Sequence, residues 1–244
     1  MGSPPLFANS YTPATGYGNG PSPQTCSVTV DADDVLIVCG VVSTWINSSY
    51  TIATPTGGGL TYTLEQSIQL TNSYCAVYVW SAIGTSTQTF TLSATQTNNL
   101  TKWSYTALRF YGSDGVGASA KTNISSGAPL LALDTLNDNS SVVVVNGDWS
   151  CQDGASRTWR TVNSFTPTAG NSAERAYFRN TNDYAVYVGY YDDVGPAGSN
   201  NFGLSAPGTQ TYAIVALEVK GTGGADTGLG ATKPYRPASW HARR

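Results

Sequence analysis

The tetrapeptide Ala-Val-Tyr-Val occurs twice, at Ala76 to Val79 and at Ala185 to Val188, and the segments around both copies match in the same order. Val35-Leu36-Ile37-Val38-Cys39-Gly40 recurs as Val142-Val143-Val144-Val145-Asn146-Gly147, and Thr54-Pro55-Thr56 as Thr166-Pro167-Thr168. Phe90-Thr91-Leu92-Ser93-Ala94 recurs as Phe202-Gly203-Leu204-Ser205-Ala206, and Ala107-Leu108-Arg109-Phe110-Tyr111-Gly112 as Ala216-Leu217-Glu218-Val219-Lys220-Gly221. A shared offset of about 110 residues over five segments marks a repeated supersecondary unit. The matched segments read as strands and turns, so they constrain architecture more than chemistry.

The periodic segments are rich in Val, Thr and Tyr, which favour half-buried pleated surfaces, and no period of 3.6 residues persists. Cys26 to Val30 alternates, Val35 to Val42 is a nearly continuous apolar run, and Asp31 to Asp34 between them reads as a turn. In Tyr74 to Trp80 the period of two places Tyr74, Ala76, Tyr78 and Trp80 on one face and Cys75, Val77 and Val79 on the other. Both faces are apolar, which predicts a strand between two layers.

The expected fold is therefore all-β, an antiparallel, jelly-roll-like β-sandwich built from two sequence-related repeats with extended N- and C-terminal arms. Its divisions are an arm over 1–24, a composite sandwich over 25–221 and a Gly-rich to basic arm over 222–244. Within the sandwich, repeat one covers 25–112, a Gly-, Ser- and Ala-rich linker 113–128 and repeat two 129–221. Two tandem sandwiches are the alternative to one composite body.

Only 11% of the residues are charged against roughly 25% in ordinary globular proteins, so the surface is largely Ser, Thr, Asn and Gly. A formal net charge of −3 offers no overall footprint for nucleic acid, and no partner of that kind is expected. No apolar run reaches the roughly 18 residues that cross a bilayer, so no membrane insertion is expected. Residues 1–20 show no secretory leader pattern. Cys26, Cys39, Cys75 and Cys151 lack paired spacings and read as reduced thiols in strands.

Chemistry is sparse. The single histidine, His241, lies outside both repeats, which removes a Ser-His-Asp triad, a Cys-His pair and a histidine-based metal site from the sandwich. Glu65, Glu174 and Glu218 are scattered where a glycosidase needs two facing carboxylates, and Glu218, matched to Arg109, is expected to face solvent. Asp31, Asp33, Asp34, Asp192 and Asp193 read as turn caps in preference to calcium ligands. Trp45, Trp103, Trp149 and Trp159 could stack on sugar rings, but large aromatics more commonly fill sandwich cores. The run Gly57-Gly58-Gly59 lacks a phosphate-binding lysine. No catalytic residue, metal site or cofactor is expected.

The last segment combines cations, prolines and aromatics. Lys233, Arg236, Arg243 and Arg244 against Asp226 give it a formal +3, leaving −6 for the rest. Tyr235, Arg236, Trp240, Arg243 and Arg244 are the expected partner-binding residues, since Arg and aromatics anchor interfaces.

The order of an Asp-containing turn with a Val/Leu/Ile run, a Thr-Pro-x-Gly segment, an aromatic Ala-Val-Tyr strand and a strand ending Ser-Ala resembles minor tail or tail-associated virion proteins of tailed bacteriophages, particularly those infecting actinobacteria. Here these are Asp33-Asp34 with Val35 to Val42, Thr54 to Gly57, Ala76 to Trp80 and Phe90 to Ala94. The likeness spans roughly residues 25–221, and the Trp that commonly follows Pro-x-Gly in such proteins is replaced by Gly58-Gly59-Leu60. The resemblance implies a non-enzymatic structural role in a virion, as a homo-oligomer, trimeric or higher, that contacts other virion proteins. A head decoration protein is the neighbouring expectation, and a carbohydrate-binding module contacting a host-surface glycan is the expectation from another class.

Overall fold

A computed structural model of the protein describes residues 2–17, 22–43, 51–70, 75–97, 102–149, 156–180 and 184–222. Tyr235, Arg236, Trp240, Arg243 and Arg244, with Trp45, Cys151 and His241, lie outside them. The described residues form strands and no helix: β1 (Leu6–Tyr11), β2 (Gln24–Val30), β3 (Val35–Ser43), β4 (Thr63–Gln69), β5 (Cys75–Ile83), β6 (Gln88–Ala94), β7 (Lys102–Tyr111), β8 (Ser113–Gly127), β9 (Leu130–Thr135), β10 (Ser141–Asp148), β11 (Thr158–Trp159), β12 (Glu174–Arg179), β13 (Ala185–Tyr191), β14 (Gly198–Ala206) and β15 (Gln210–Gly221).

They make two five-stranded antiparallel sheets of the same order, β1-β7-β3-β5-β4 and β8-β15-β10-β13-β12. Each carries a smaller outer layer, β2-β6 on the first and β9-β14-β11 on the second. The register repeats as well. Val38 pairs with Ala107 and Val42 with Ala76 in the first half, as Val144 pairs with Ala216 and Asp148 with Ala185 in the second. Even the β-bulge recurs, between Leu64 and Gln66 opposite Trp80 and Val79, and between Glu174 and Ala176 opposite Gly189 and Val188.

This register corrects two sequence matches. The counterpart of Val142 is Leu36 and not Val35, because a one-residue slip would turn every side chain to the wrong face. Thr56 bridges Ser93 in the outer layer, whereas Thr166 to Thr168 form a loop tied to Asn171, so Thr-Pro-Thr marks different places in the two halves.

Four layers result. Val35, Ile37, Cys39, Val41, Val77 and Val79 of the first large sheet meet Val143, Val145, Val186, Val188, Val215 and Leu217 of the second in one shared core. Leu36, Val38, Trp80 and Leu92 fill the outer core of the first half, and Val142, Val144, Tyr187 and Phe202 that of the second. The expectation that the Cys75–Trp80 stretch lies between two layers is met, with Val77 and Val79 in the shared core and Ala76 and Trp80 in the outer one. β3 faces β10 and β5 faces β15, and β7 and β15 end on the same side of the molecule, so an approximate two-fold axis runs along the strands. Near that axis the counterparts Val41 and Gly147 touch each other: a Cβ on Gly147 would lie 3.0 Å from Val41 Cγ1 and 2.5 Å from Cys75 Sγ.

The 113–128 stretch is no linker but the edge strand β8, paired with β15 along nearly its whole length. Its composition misleads because its small residues make room: a side chain on Gly117 would strike the Glu218 carboxylate. Side chains of β8 also close the gap to β4, with Lys121 Nζ donating to Ser67 O and Asn123 Nδ2 to Gln69 O, which blunts that sheet edge.

The N-terminal arm is extended, as expected, but it is built into the body. β1 pairs with β7 of the first half, and the same strand and the chain ahead of it also hold the second: Ser3 bridges Thr222, Phe7 stacks on Tyr190 at 4.6 Å, and Arg175 donates to Ser10 Oγ. Tyr17 is buried in the shared core, where its carbonyl accepts the Tyr184 hydroxyl and burial pushes its phenol pKa well up.

Candidate functional site

The turn before β3 and the turn before β10 stand at the same end of the molecule, and each is closed by one charged side chain from a neighbouring strand. In the first half Arg109 of β7 donates to Asp34 Oδ2 at 2.5 Å and to Asp31 Oδ2, while Asp34 also accepts the Asp31 backbone N–H. The Asp31 carboxyl is held below the usual range by a hydrogen bond from Thr87 and by the Arg109 guanidinium. The acidic turn thus carries its own internal cation, which fits the turn reading.

In the second half Glu218 of β15 occupies the place of Arg109. The expectation that it faces solvent is wrong: Glu218 is fully buried and accepts the N–H groups of Ala118, Leu136 and Asn137 and the hydroxyl of Ser140. Leu217 and Val219 face the shared core, and the other side of the strand is roofed by the β9–β10 turn, so alternation does not lead to water here.

Beside these turns the same end gathers Asp33 and Asp114, which line one shallow cleft with Ser113, and Asp138, Asp192 and Asp193. Asp138 accepts the Ala197 N–H and Asp193 the Gly195 N–H, whereas burial raises the pKa of Asp192, which accepts the Ser141 hydroxyl. Among the described residues no group of three metal-ligating side chains forms. Gly221 pairs with Ser113 at this end, and Thr222 bridges Ser3, so the chain enters and leaves the described fold side by side.

A second cluster lies on the outer side of the second half. Glu174, at the bulge of β12, accepts Arg157 Nε at 2.7 Å and Trp159 Nε1 at 2.8 Å on Oε2, and Arg157 Nη2 on Oε1. The Arg157 guanidinium lies 3.5 Å from the Tyr177 ring centroid. Thr158, Pro167, Thr168 and Ala169 complete a pocket of about 270 Å³ beside this pair. Sequence spacing gave no sign of it, since Arg157 and Glu174 meet only through the loop between β11 and β12.

The remaining candidates have structural partners. Glu65 accepts the Ser81 hydroxyl at 2.5 Å on the opposite half from Glu174 and Glu218, so the three glutamates do not converge. Trp103 and Trp159 are buried and Trp149 packs against the shared core. Tyr111 is the aromatic among the large apolar side chains exposed in the described residues. Gly57 and Gly58 pack against Phe90 in a turn. Cys26 and Cys39 are free thiols, Cys75 is buried in the shared core, and burial raises the Cys39 pKa. No helix among the described residues is long and apolar enough to cross a membrane.

Compared with protein-family models, curated proteins and solved structures, the chain matches none.

Proposed function

We propose that this chain is a non-enzymatic structural component of a bacteriophage virion, in the tail or tail tip, that assembles as an oligomer through its 222–244 segment. The sequence resemblance supports the virion setting. The observation that carries the assembly role is where β15 leads: residue 222 leaves the fold at the end bearing Asp33, Asp114, Asp138, Asp192 and Asp193, and the segment that follows is formally +3. Opposite charges steer encounter between subunits, and buried Tyr and Trp side chains then fix the register. The charged groups of the body support the same reading, since Arg109 and Glu218 close turns. Tyr235, Arg236, Trp240, Arg243 and Arg244 are the contact residues in this account.

The test is deletion of residues 234–244, which leaves every described strand in place. The shortened chain should keep a cooperative thermal transition and lose oligomer mass and incorporation into particles. Assembly equal to that of the full chain would overturn the role given to the segment.

A further inference from the structure

The turns before β3 and β10 are equivalent, and each carries a residue of positive φ, Asp33 at 65° and Asn139 at 55°. Their backbones are tied alike, the Asp33 N–H to Gly84 O and the Asn139 N–H to Gly195 O. In the second half this place is covered by the chain's own N-terminal arm: Asn139 Nδ2 donates to Gly2 O and the Ser141 hydroxyl to Pro5 O. In the first half it is open. Asp33, Ile83, Ser113, Asp114 and Gly115 line a cleft of about 360 Å³ in which Ile83 is 43% exposed. Among the described residues neither the Asp33 nor the Asp114 carboxylate has a hydrogen-bond or ion-pair partner, since Arg109 is spent on Asp31 and Asp34. The register that sets Leu36 opposite Ala82 and Val142 opposite Tyr191 makes Asp192 the counterpart of Ile83 and Ser141 that of Val35. Where the second half offers amide and hydroxyl donors to a stretch of chain, the first offers two bare carboxylates and an aliphatic side chain.

We propose, on the strength of the assembly role given to the 222–244 segment above, that this cleft receives residues 233–244 of a second copy of the chain. Its occupant must bring cations and an apolar group. Lys233, Arg236, Arg243 and Arg244 supply the cations for Asp33 and Asp114, and Tyr235 and Trp240 supply rings to lie on Ile83. Gly221 pairs with Ser113 on the wall of the cleft, so the segment sets out beside one cleft. The stretch 223–232 spans roughly 33–36 Å when extended, enough to enter the cleft of a facing subunit. Exchange of an identical element between protomers needs no further surface, because every copy carries both the segment and the cleft. The sister half already shows that this place on the frame accepts a terminal stretch of the chain.

The experiment uses two full-length variants and their mixture, with oligomer mass read by light scattering. Asp33→Asn with Asp114→Lys alters the cleft, asparagine being tolerated at positive φ. Arg236→Glu with Arg243→Glu and Arg244→Glu alters the segment. Each variant alone should be monomeric with an unchanged thermal transition. Mixed in equal amounts they should form 1:1 pairs, since the intact segment of the first enters the intact cleft of the second. Ile83→Ser, which leaves the charge unchanged, should weaken assembly several-fold, and Asp134→Lys, on β9 outside the cleft, should leave it intact. The proposal is overturned if the cleft variant assembles like the unaltered chain, if Asp134→Lys is equally damaging, or if the mixture stays monomeric. A cleft variant that assembles while deletion of 234–244 abolishes assembly would sink this surface and leave the assembly role standing. A deletion without effect would sink both.

Discussion

Arg109 and Glu218 hold equivalent places on β7 and β15, yet one is a cation and the other an anion. Arg109 is partly exposed and braced by two carboxylates of the preceding turn; Glu218 is sealed and held by three backbone N–H groups and a hydroxyl. The frame requires that the strand reach across and tie down the turn before its neighbour. The sign of the tying charge is free, because carboxylates can be supplied to meet a guanidinium and amide donors turned to meet a carboxylate. A second exchange follows the same rule. Trp80 fills the outer core above Gly40 from β5 itself, whereas its counterpart Gly189 is covered by Trp159 from the outer layer. The volume is conserved and its source is not.

The largest effect should come where the halves touch their own counterparts. Gly147→Val pushes a branched side chain into Cys75 and Val41, and overpacking of this kind should cost about 3 kcal/mol in denaturant unfolding. Adding Val41→Gly exchanges the two residues across the axis and should recover a good part of the loss. A double variant no better than the single one would mean that the sites are not equivalent.

Next comes the tied turn. Glu218→Gln aims an amide donor at groups that are already donors and should cost about 2–3 kcal/mol. Arg109→Gln, at the equivalent but partly hydrated place, should cost about 1 kcal/mol. Equal losses would remove the distinction between the halves.

Acid should separate two aspartates by sign. The folded pKa of Asp31 is depressed below the unfolded value of about 3.9, so its contribution is present above that pH and is lost as pH falls through the folded value. Asp192 is shifted upward, so the fold gains from its protonated form and loses that gain as pH rises through the folded value. Asp31→Asn should therefore lower stability slightly at pH 7, and Asp192→Asn should raise it slightly. Urea titrations at about pH 3 and pH 7 check both, and the two variants moving in the same direction at pH 7 would refute the assignment.

Much of this frame can be read from the chain, because half-buried strands leave alternation behind. β2, β3, β5, β6 and β7 follow from Cys26–Val30, Val35–Val42, Tyr74–Trp80, Phe90–Ala94 and Ala107–Tyr111. β8 escapes notice because an edge strand that must clear Glu218 is written in Gly, Ala and Ser, the letters of a linker. β1 escapes because its partner, β7, lies about a hundred residues away. Glu218 is misread because periodicity reveals two faces but not whether both are covered. Nothing local joins Arg157 to Glu174, so that pocket belongs to tertiary structure alone.

The central claim is that the shared core makes the two halves one body, more than two sandwiches on a string. Scanning calorimetry of the intact chain tests it, together with Leu92→Ala in the first outer core and Leu204→Ala in the second, each expected to cost about 2–5 kcal/mol. A single transition, with calorimetric and van 't Hoff enthalpies in agreement and moved as a whole by either substitution, is the predicted result. Two transitions, one moved only by Leu92→Ala and the other only by Leu204→Ala, would contradict it.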